Sequence, residues 1–244
     1  MDADPPDNEA TGGAPDRASV PDSATLLLRH KTADAMLLEF DLRDYETPLV
    51  KAVLEVSDLL DKEPPIRVYN RDCKMRRNLG FFGDPDETYG YFFSGQLAAT
   101  KPIGPSNKAL LDIVNGLFHE SHNGVLVNEY EDGEHYISPH RDDELGLAPS
   151  GGVLCISYGA ERTLVVKEYK GAKDAPMCAA RTKSCHALLM AGKDFQKVYT
   201  HGVPKEAGAG RRISLTYRTH SKDREEKKYQ AYVKAQSRKR EREE

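Results

Sequence analysis

A histidine and an aspartate that could share one metal ion stand two residues apart in this chain of 244 residues. They are His140 and Asp142, and residues i and i+2 of an extended segment point to the same face. At a rise of roughly 3.3 Å per residue their Cα atoms lie about 6–7 Å apart, so both side chains can reach one ion. A third ligand must come from elsewhere, and His201, in the stretch Tyr-Thr-His-Gly, is the candidate.

Two histidines and one carboxylate on one face of an iron ion leave three coordination positions open. A bidentate cosubstrate and O₂ can fill these positions, which is why non-haem iron oxygenases use this ligand set. The residue types alone do not establish such a site. A His-x-Asp pair is also common in exposed loops, His201 by itself is also typical of a hydrogen-bonded surface histidine, and zinc accepts the same ligands.

A strand of alternating character begins eleven residues after the last of these histidines. In Arg-Ile-Ser-Leu-Thr-Tyr-Arg, residues 212–218, one face carries Arg212, Ser214, Thr216 and Arg218, and the other face is apolar. Guanidinium groups pair bidentately with carboxylates, and 2-oxoglutarate carries two carboxylates. Because six residues of strand span roughly 20 Å, both arginines must lean inwards to meet one small dianion. An ion pair between Arg218 and a surface acid stays the alternative.

Asn128 and Tyr130 lie on one face of the segment that leads towards His140. Their amide and hydroxyl groups could hydrogen-bond a cosubstrate. On the pattern alone they are equally well half-buried strand residues.

Helical and β-rich segments must position these residues. Apolar residues at helical spacing predict helices over residues 48–60 and 107–119, the second with Ser106 as its N-cap. After Gly124 the chain breaks into short β-rich runs between turn signals. These runs are residues 125–130, 153–158, 163–167, 186–190 and 212–218. Helices first and many short strands afterwards predict an α+β domain, an antiparallel sandwich with its helices packed outside.

The composition favours one soluble domain with polar extensions. Hydrophobic residues make up 39% of the chain, which is enough for one sizeable core. We expect a disordered acidic tail over residues 1–22, a domain over 23–220 and a charged C-terminal tail or helix over 221–244. The net charge of −4 gives no global indication of nucleic-acid binding, although a basic face can exist on a protein with acidic tails.

Neither a secretory leader nor an apolar run long enough to span a membrane is visible, so we expect an intracellular protein without a membrane partner, nuclear or cytoplasmic. The four cysteines show no paired zinc-type spacing. No spare amphipathic surface is obvious, and we therefore expect a monomer.

The motifs resemble, in their order, those of the AlkB family of Fe(II)- and 2-oxoglutarate-dependent dioxygenases, which dealkylate nucleic-acid bases. Asn-x-Tyr, His-x-Asp, His and Arg-x5-Arg follow one another here, and the likeness covers about residues 65–220. Residues 128–144 are most similar to the animal nuclear DNA-repair members. The resemblance implies a double-stranded β-helix, or jelly roll, with N-terminal helices packed outside.

The resemblance also implies the roles of the candidate residues. His140, Asp142 and His201 would bind iron. Arg212 would form a salt bridge to the far carboxylate of 2-oxoglutarate, and Arg218 would contact the carboxylate nearest the iron.

Three further residues would complete the cosubstrate site by the same resemblance. Asn128 and Tyr130 would add hydrogen bonds. Ser214 stands where the family usually carries asparagine, which weakens the expectation of one contact.

The substrate base, flipped out of its strand, would stack against Phe93 and His140 by resemblance. Tyr91 and Glu144 would line the base pocket, and Arg141 would meet a phosphate.

Tyr69 stands where the DNA-repair members carry the aromatic finger that fills the gap left by the flipped base. The family usually has phenylalanine there, and the tyrosine leaves the preference for duplex over single strands open. The basic segment around it, residues 71–77, is a candidate to follow the phosphate backbone and is equally well a solvated loop.

The function implied is oxidative removal of alkyl groups from base nitrogens in DNA or RNA. Fe(II) would be the cofactor, O₂ and 2-oxoglutarate would be consumed, and succinate, CO₂ and an aldehyde would be released. Three alternatives stay open: an oxygenase of the same chemistry acting on a protein or another non-nucleic substrate, a nucleic-acid-binding module without catalytic activity, and a cupin-like metal protein without cosubstrate.

Overall fold

The structure of this protein, a computed structural model, describes residues 24–68, 71–144, 146–148, 152–171 and 178–243. The expected tail over residues 1–22 lies outside them. The strands of the described chain are β1 (Thr25–Arg29), β2 (Met36–Asp41), β3 (Pro65–Val68), β4 (Arg71–Lys74), β5 (Asn78–Gly83), β6 (Gly90–Phe93), β7 (Gln96–Pro102), β8 (Gly124–Tyr130), β9 (Ile137–His140), β10 (Val153–Gly159), β11 (Thr163–Glu168), β12 (Cys178–Arg181), β13 (His186–Ala191), β14 (Tyr199–Val203) and β15 (Arg212–Arg218). Its α-helices are α1 (Glu46–Ser57), α2 (Pro105–Phe118), α3 (Phe195–Val198) and α4 (Lys222–Glu243).

Nine strands form one large sheet in the order β1-β2-β13-β10-β15-β8-β5-β7-β6. Its pairs are antiparallel except for β5 and β7, which run parallel. The alternating strand β15 lies at the centre, between β10 and β8, and all seven of its residues are buried. Its period-two alternation therefore gives the sheet one polar face and one apolar face at this position.

A smaller sheet, in the order β12-β11-β14-β9, packs against the polar side of the large one. Apolar residues of both sheets meet in one cluster, among them Tyr130 and Met190 from the large sheet and Val166 and Tyr199 from the small one. Two facing sheets of this kind are the double-stranded β-helix that the sequence predicted.

Helices α1 and α2 cover the outer face of the large sheet. Their buried side chains, such as Val53 and Leu111, pack with Ile213, Leu215 and Tyr217 of β15. Each fully buried apolar side chain contributes roughly 1.5–3 kcal/mol, so this contact fixes the central strand between the helices and the interior. The prediction that N-terminal helices pack outside is confirmed.

The predicted N-cap of α2 is wrong. The helix begins at Pro105 with Gly104 as its N-cap, and Ser106 lies in its first turn. The backbone N–H groups of Ser106 and Asn107 donate to the carboxylate of Glu55 in α1, both over 2.9 Å. Proline is favoured at the first helical position, and a carboxylate suits the positive end of a helix, so a side chain from another helix replaces the local cap.

The predicted order of elements is also wrong in its first half. Strands β1 and β2 precede α1, and five strands separate α1 from α2. All six residues of β5 are buried, and a strand buried on both faces lacks the alternation by which half-buried strands are recognised. The five strands predicted after Gly124 are present, each within one residue of its predicted ends.

Strands β3 and β4 pair as a separate two-stranded ribbon, with Val68 opposite Arg71. The residues between them in sequence, Tyr69 and Asn70, lie outside the described residues. The finger role of Tyr69 therefore stays a prediction.

Helix α4 follows directly on the domain and has 22 residues. Its first half contacts the domain, and beyond Tyr232 most of its described side chains are exposed. None of the helices that the structure describes is long and apolar enough to cross a membrane.

Candidate active site

The structure brings His140, Asp142 and His201 together between the two sheets. His140 ends β9, Asp142 follows two residues later, and His201 lies on β14 directly opposite His140. The Nε2 atom of His140 is 3.6 Å from Asp142 Oδ1, and Nε2 of His201 is 3.7 Å from Asp142 Oδ2. One ligand atom of each residue lies within 4.8 Å of the others. Atoms bound at about 2.0–2.2 Å to one ion lie about 3–4 Å apart, so the three fit a shared metal.

These side chains have the ionisation states that a metal requires. Burial lowers the pKa of His201 to about 3 and also lowers the pKa of His140, so both imidazoles are neutral. Burial by itself raises the pKa of Asp142, but Arg218 and the two histidines outweigh it and hold that pKa well below its usual range. The Nδ1 atom of His140 lies 3.0 Å from the carbonyl oxygen of Ser138, and a proton there leaves Nε2 free to bind an ion.

A cavity of about 530 Å³ adjoins these three side chains. Ligand pockets typically have volumes of roughly 300–1,000 Å³, so the space suits a cosubstrate together with part of a substrate. The polar face of β15 lines it, as the alternation predicted, with Arg212, Ser214, Thr216 and Arg218.

Arg212 is a buried cation that has no acidic partner among the described residues. It is 2% exposed, its Nη2 donates to Ser157 Oγ over 2.8 Å, and its Nε and Nη1 have no hydrogen-bond partner. Arg218 reaches the same cavity from the other end of the strand; its Nη2 donates to Asp142, and its Nε and Nη1 are unpartnered. Buried cations with unmet donors are costly unless an anion joins them, so this pair fits a small dicarboxylate.

Asn128 and Tyr130 lie beside β15 in register. Asn128 is opposite Ser214 and Tyr130 is opposite Arg212, and the Arg212 guanidinium lies 5.2 Å from the centre of the Tyr130 ring. Both side chains face the same cavity. The geometry therefore permits the contacts that were expected between these two side chains and a cosubstrate.

Arg77 is a cavity residue that the sequence analysis missed, since it was taken as part of a basic segment over residues 71–77. Its side chain lines the cavity, and its Nε donates to Asn128 Oδ1 over 2.8 Å. Burial lowers the pKa of Arg77. The sequence did contain a signal for this position. Met75, Arg77 and Leu79 are spaced two residues apart and so share one face of an extended segment, and Met75 and Leu79 are buried in one cluster.

Tyr91 and Phe93 form an aromatic wall of the cavity on β6. Their ring centres are 6.1 Å apart with an angle of 24° between the ring planes. Tyr91 OH donates to Asp142 Oδ1 over 3.3 Å, and burial raises the pKa of Tyr91, so the phenol keeps the proton that it donates. The wall therefore begins at the candidate metal site.

Arg141 and Glu144 also line the cavity. The Arg141 guanidinium pairs with Asp143 over 2.5 Å and lies 4.2 Å from the centre of the Tyr169 ring. Glu144 forms a salt bridge with Lys228 of α4, a partner that the sequence analysis did not anticipate. The contacts of Arg141 and Glu144 with a substrate stay predictions.

Comparison with known proteins agrees with this geometry. The sequence family described as the 2OG-Fe(II) oxygenase superfamily matches residues 47–218, which include the three candidate ligands and both arginines of β15. The human DNA oxidative demethylase ALKBH2 is 30% identical over 158 residues, which span 63% of this chain and 60% of that protein. The mouse DNA oxidative demethylase ALKBH2 is 28% identical over 213 residues, which span 85% of this chain and 88% of that protein.

A solved structure, that of OsALKBH1, has the same fold. It superimposes with a TM-score of 0.51 at 18% identity and covers 78% of this chain and 100% of that chain. The fold, the matched residues and the AlkB-type relatives together confirm the resemblance drawn from the sequence. The chain belongs to the 2OG-Fe(II) oxygenase superfamily, whose members use Fe(II), 2-oxoglutarate and O₂.

Proposed function

We propose that this protein removes alkyl groups from nitrogen atoms of DNA bases by oxidation. The observation that carries the proposal is the junction of the His140–Asp142–His201 cluster with an aromatic-walled cavity that also holds two buried arginines. The human and mouse relatives, at 30% and 28% identity, bear the name DNA oxidative demethylase. The wall suits a flat base, since aromatic side chains stack on any base.

The three ligand residues would hold Fe(II), and Arg212 and Arg218 would bind the two carboxylates of 2-oxoglutarate. Asn128, Tyr130 and Ser214 line the space between and would bind its remaining oxygen atoms. When bound, the Fe(II) ion would couple the cleavage of 2-oxoglutarate to succinate and CO₂ with hydroxylation of a carbon–hydrogen bond. One oxygen atom of O₂ then enters succinate and the other enters the alkyl carbon.

The change in the substrate follows from this hydroxylation. A methyl group on a base nitrogen becomes a hydroxymethyl group, and its carbon–nitrogen bond breaks to release formaldehyde and the unmodified base. The proton of the hydroxyl group passes to the nitrogen, and the electrons of its O–H bond form the carbonyl bond of formaldehyde. Tyr91 and Phe93 would hold the base with its alkyl group towards Asp142.

A base within a duplex must leave the stack to reach this cavity, which costs a few kcal/mol and least where the pair is already damaged. The ribbon of β3 and β4 is the element beside the cavity that would occupy the duplex, because Ile66 and Cys73 of its two strands line the cavity. Tyr69, between these strands in sequence, would fill the gap left by the flipped base. Arg141 would contact a phosphate near it.

The test is product release from a panel of substrates. Purified protein with Fe(II), ascorbate and 2-oxoglutarate is given oligonucleotides carrying N-methylated bases, as single-stranded DNA, duplex DNA and RNA, and succinate and formaldehyde are measured. We expect both products from DNA, at equal amounts, and neither from Asp142→Ala.

The panel also separates the alternatives. Succinate without any loss of the methyl group from DNA or RNA would move the substrate to a protein or another molecule. Tight binding of methylated DNA without succinate would indicate a binding module. Faster release from RNA than from DNA would replace the proposed substrate by RNA.

A further inference from the structure

Helix α4 continues the chain beyond residue 218, where the family match ends, and it packs beside the cavity. Its inner face carries Glu225, Tyr229 and Tyr232 at helical spacing. Tyr229 stacks on Tyr89 with ring centres 3.9 Å apart and ring planes at 5°. The edge of Tyr232 meets Phe92 at 6.2 Å. The helix is therefore attached to β6 and the segment that enters it, which carry the aromatic wall.

Glu225 is the buried anchor of this attachment. It is 1% exposed and accepts hydrogen bonds from Thr88 Oγ1 over 3.0 Å and from the backbone N–H of Tyr89 over 2.8 Å. His220 Nδ1 lies 3.1 Å from its other oxygen. A buried carboxylate with this many partners fixes the first turn of α4 in place.

The same turn also holds the loop that follows the candidate metal ligands. The backbone N–H of Ser221 donates to the carbonyl oxygen of Gly146 over 2.9 Å. A Cβ atom on Gly146 would lie 2.4 Å from Cγ of Glu225, so only glycine allows this approach. Although they are far apart in sequence, the loop and the helix are thus packed backbone against side chain.

The third contact reaches the cavity itself. The ammonium group of Lys228 forms a salt bridge with the carboxylate of Glu144, which lines the cavity two residues after Asp142. The Lys228 Nζ atom also lies 5.0 Å from the centre of the Phe92 ring. Both partners are partly shielded, with side-chain exposures of 32% and 24%, so solvent screens this pair less than a fully exposed ion pair.

We propose that Lys228 is a positioning residue that sets the base preference of the cavity through Glu144. An ionised carboxylate only accepts hydrogen bonds. Adenine and cytosine present an amino donor on the edge where guanine and thymine present a carbonyl acceptor. Lys228 pairs with one oxygen of this carboxylate at the cavity wall, which would leave the other oxygen to accept from a base in the cavity, so that bases with an amino group are favoured. This inference rests on the proposed function.

Three variants test it. Lys228→Met removes the charge at similar length, and Lys228→Arg retains it. Lys227→Met is the matched control, because Lys227 is an exposed neighbour on the same helix that forms no ion pair with the described residues. Each is assayed on one DNA strand carrying 1-methyladenine, 3-methylcytosine, 3-methylthymine or 1-methylguanine.

We expect Lys228→Met to lower kcat/KM for the two amino bases by ~10-fold, the effect of one lost hydrogen bond to a charged group. The change should lie in KM, with kcat within about twofold of wild type. The two carbonyl bases should be unaffected or improved. Lys228→Arg and Lys227→Met should keep the wild-type ratio between the two classes.

Binding of the same four strands, measured by fluorescence anisotropy with zinc and 2-oxoglutarate in place of turnover conditions, gives a second reading. An unchanged ratio for Lys228→Met in both assays would overturn the inference. So would an equal loss on all four bases, which is the result of a merely structural role. If no protein releases succinate, the proposed function is contradicted, and a binding preference for amino bases that wild type shows and Lys228→Met loses would still support the role of Lys228.

Discussion

The Arg218 guanidinium donates a hydrogen bond to the Asp142 carboxylate over 2.7 Å, and Asp142 is the residue that the two candidate histidine ligands also approach. Arg218 is the last residue of the central strand β15 and is 4% exposed. The strand that lines the cavity thus ends on the carboxylate of the candidate metal site. Arg218 orients that carboxylate and keeps it ionised, because the guanidinium lowers the pKa of Asp142 against the effect of burial.

Replacement of Arg218 should therefore weaken metal binding as well as cosubstrate binding. Side chains that orient metal ligands typically contribute 10–100-fold in affinity or activity, and we expect Arg218→Met to weaken Co(II) binding by ~10-fold or more. Titration of the apoprotein, followed by the visible absorption of bound Co(II), measures this. Arg43→Met removes an exposed arginine–aspartate pair and should leave Co(II) binding unchanged. Equal affinity in Arg218→Met and wild type would contradict the orienting role.

Arg77 should act on the cosubstrate through Asn128. With the 2.8 Å hydrogen bond removed, Asn128 loses the partner that orients its amide, and we expect Arg77→Met to raise the KM for 2-oxoglutarate by ~10-fold. Arg43→Met is the control, since Arg43 is exposed, does not line the cavity and pairs with Asp41. An unchanged KM in Arg77→Met would show that Asn128 is oriented without it.

The sequence predicted the part of the site that depends on local alternation. The five strands after Gly124 follow from β-rich runs between turn signals, and the polar face of β15 follows from period-two alternation; together these patterns carry Asn128 and Arg212 to the cavity. The fold class and the family followed from the order of motifs. These features need only neighbours in sequence to be recognised.

Other features depend on contacts between distant residues, and the sequence does not indicate them. The N-terminus of α2 is capped by Glu55, about 50 residues away. The salt bridge between Glu144 and Lys228 joins positions separated by 84 residues. The fully buried β5 lacks alternation, so the sequence analysis placed no strand there. In each case the tertiary environment, rather than local propensity, determines the structure.

Tyr69 is expected to matter for duplex substrates in particular. Tyr69→Ala should lower activity on duplex DNA several-fold more than on single-stranded DNA, because only the duplex leaves a gap when a base is flipped. Steady-state kinetics on the same methylated strand, alone and annealed, measures the ratio, and Tyr69→Phe should restore it. A similar loss on both forms would remove the finger role.

Stability should fall in mild acid because of His122. This side chain is 3% exposed, and burial, with Arg218 and His220 nearby, lowers the pKa of His122 from 6.5 to about 4. The folded state therefore holds the neutral imidazole, whereas the unfolded state takes up a proton as the pH falls below about 6.5. The stability contributed by the neutral imidazole is complete above pH 6.5 and is lost as the pH falls towards 4. The loss from about pH 7 to about pH 5 should be about 2 kcal/mol.

Urea unfolding of the apoprotein at the two pH values measures this loss. His122→Gln should reduce the pH dependence by that amount, whatever its effect at neutral pH. His119→Asn, at an exposed histidine after α2, should retain the full dependence. A wild-type slope in His122→Gln would show that other groups cause the acid sensitivity.

The most direct measurement is succinate formation on one DNA strand with and without a single N-methylated base, by wild type and by Asp142→Ala. We predict that wild type forms succinate in step with loss of the methyl group, forms little with the unmethylated strand, and that Asp142→Ala forms none with either. Succinate formation that is the same with and without the methyl group, or that survives in Asp142→Ala, would contradict the assignment of this cavity to the oxidation of alkylated DNA.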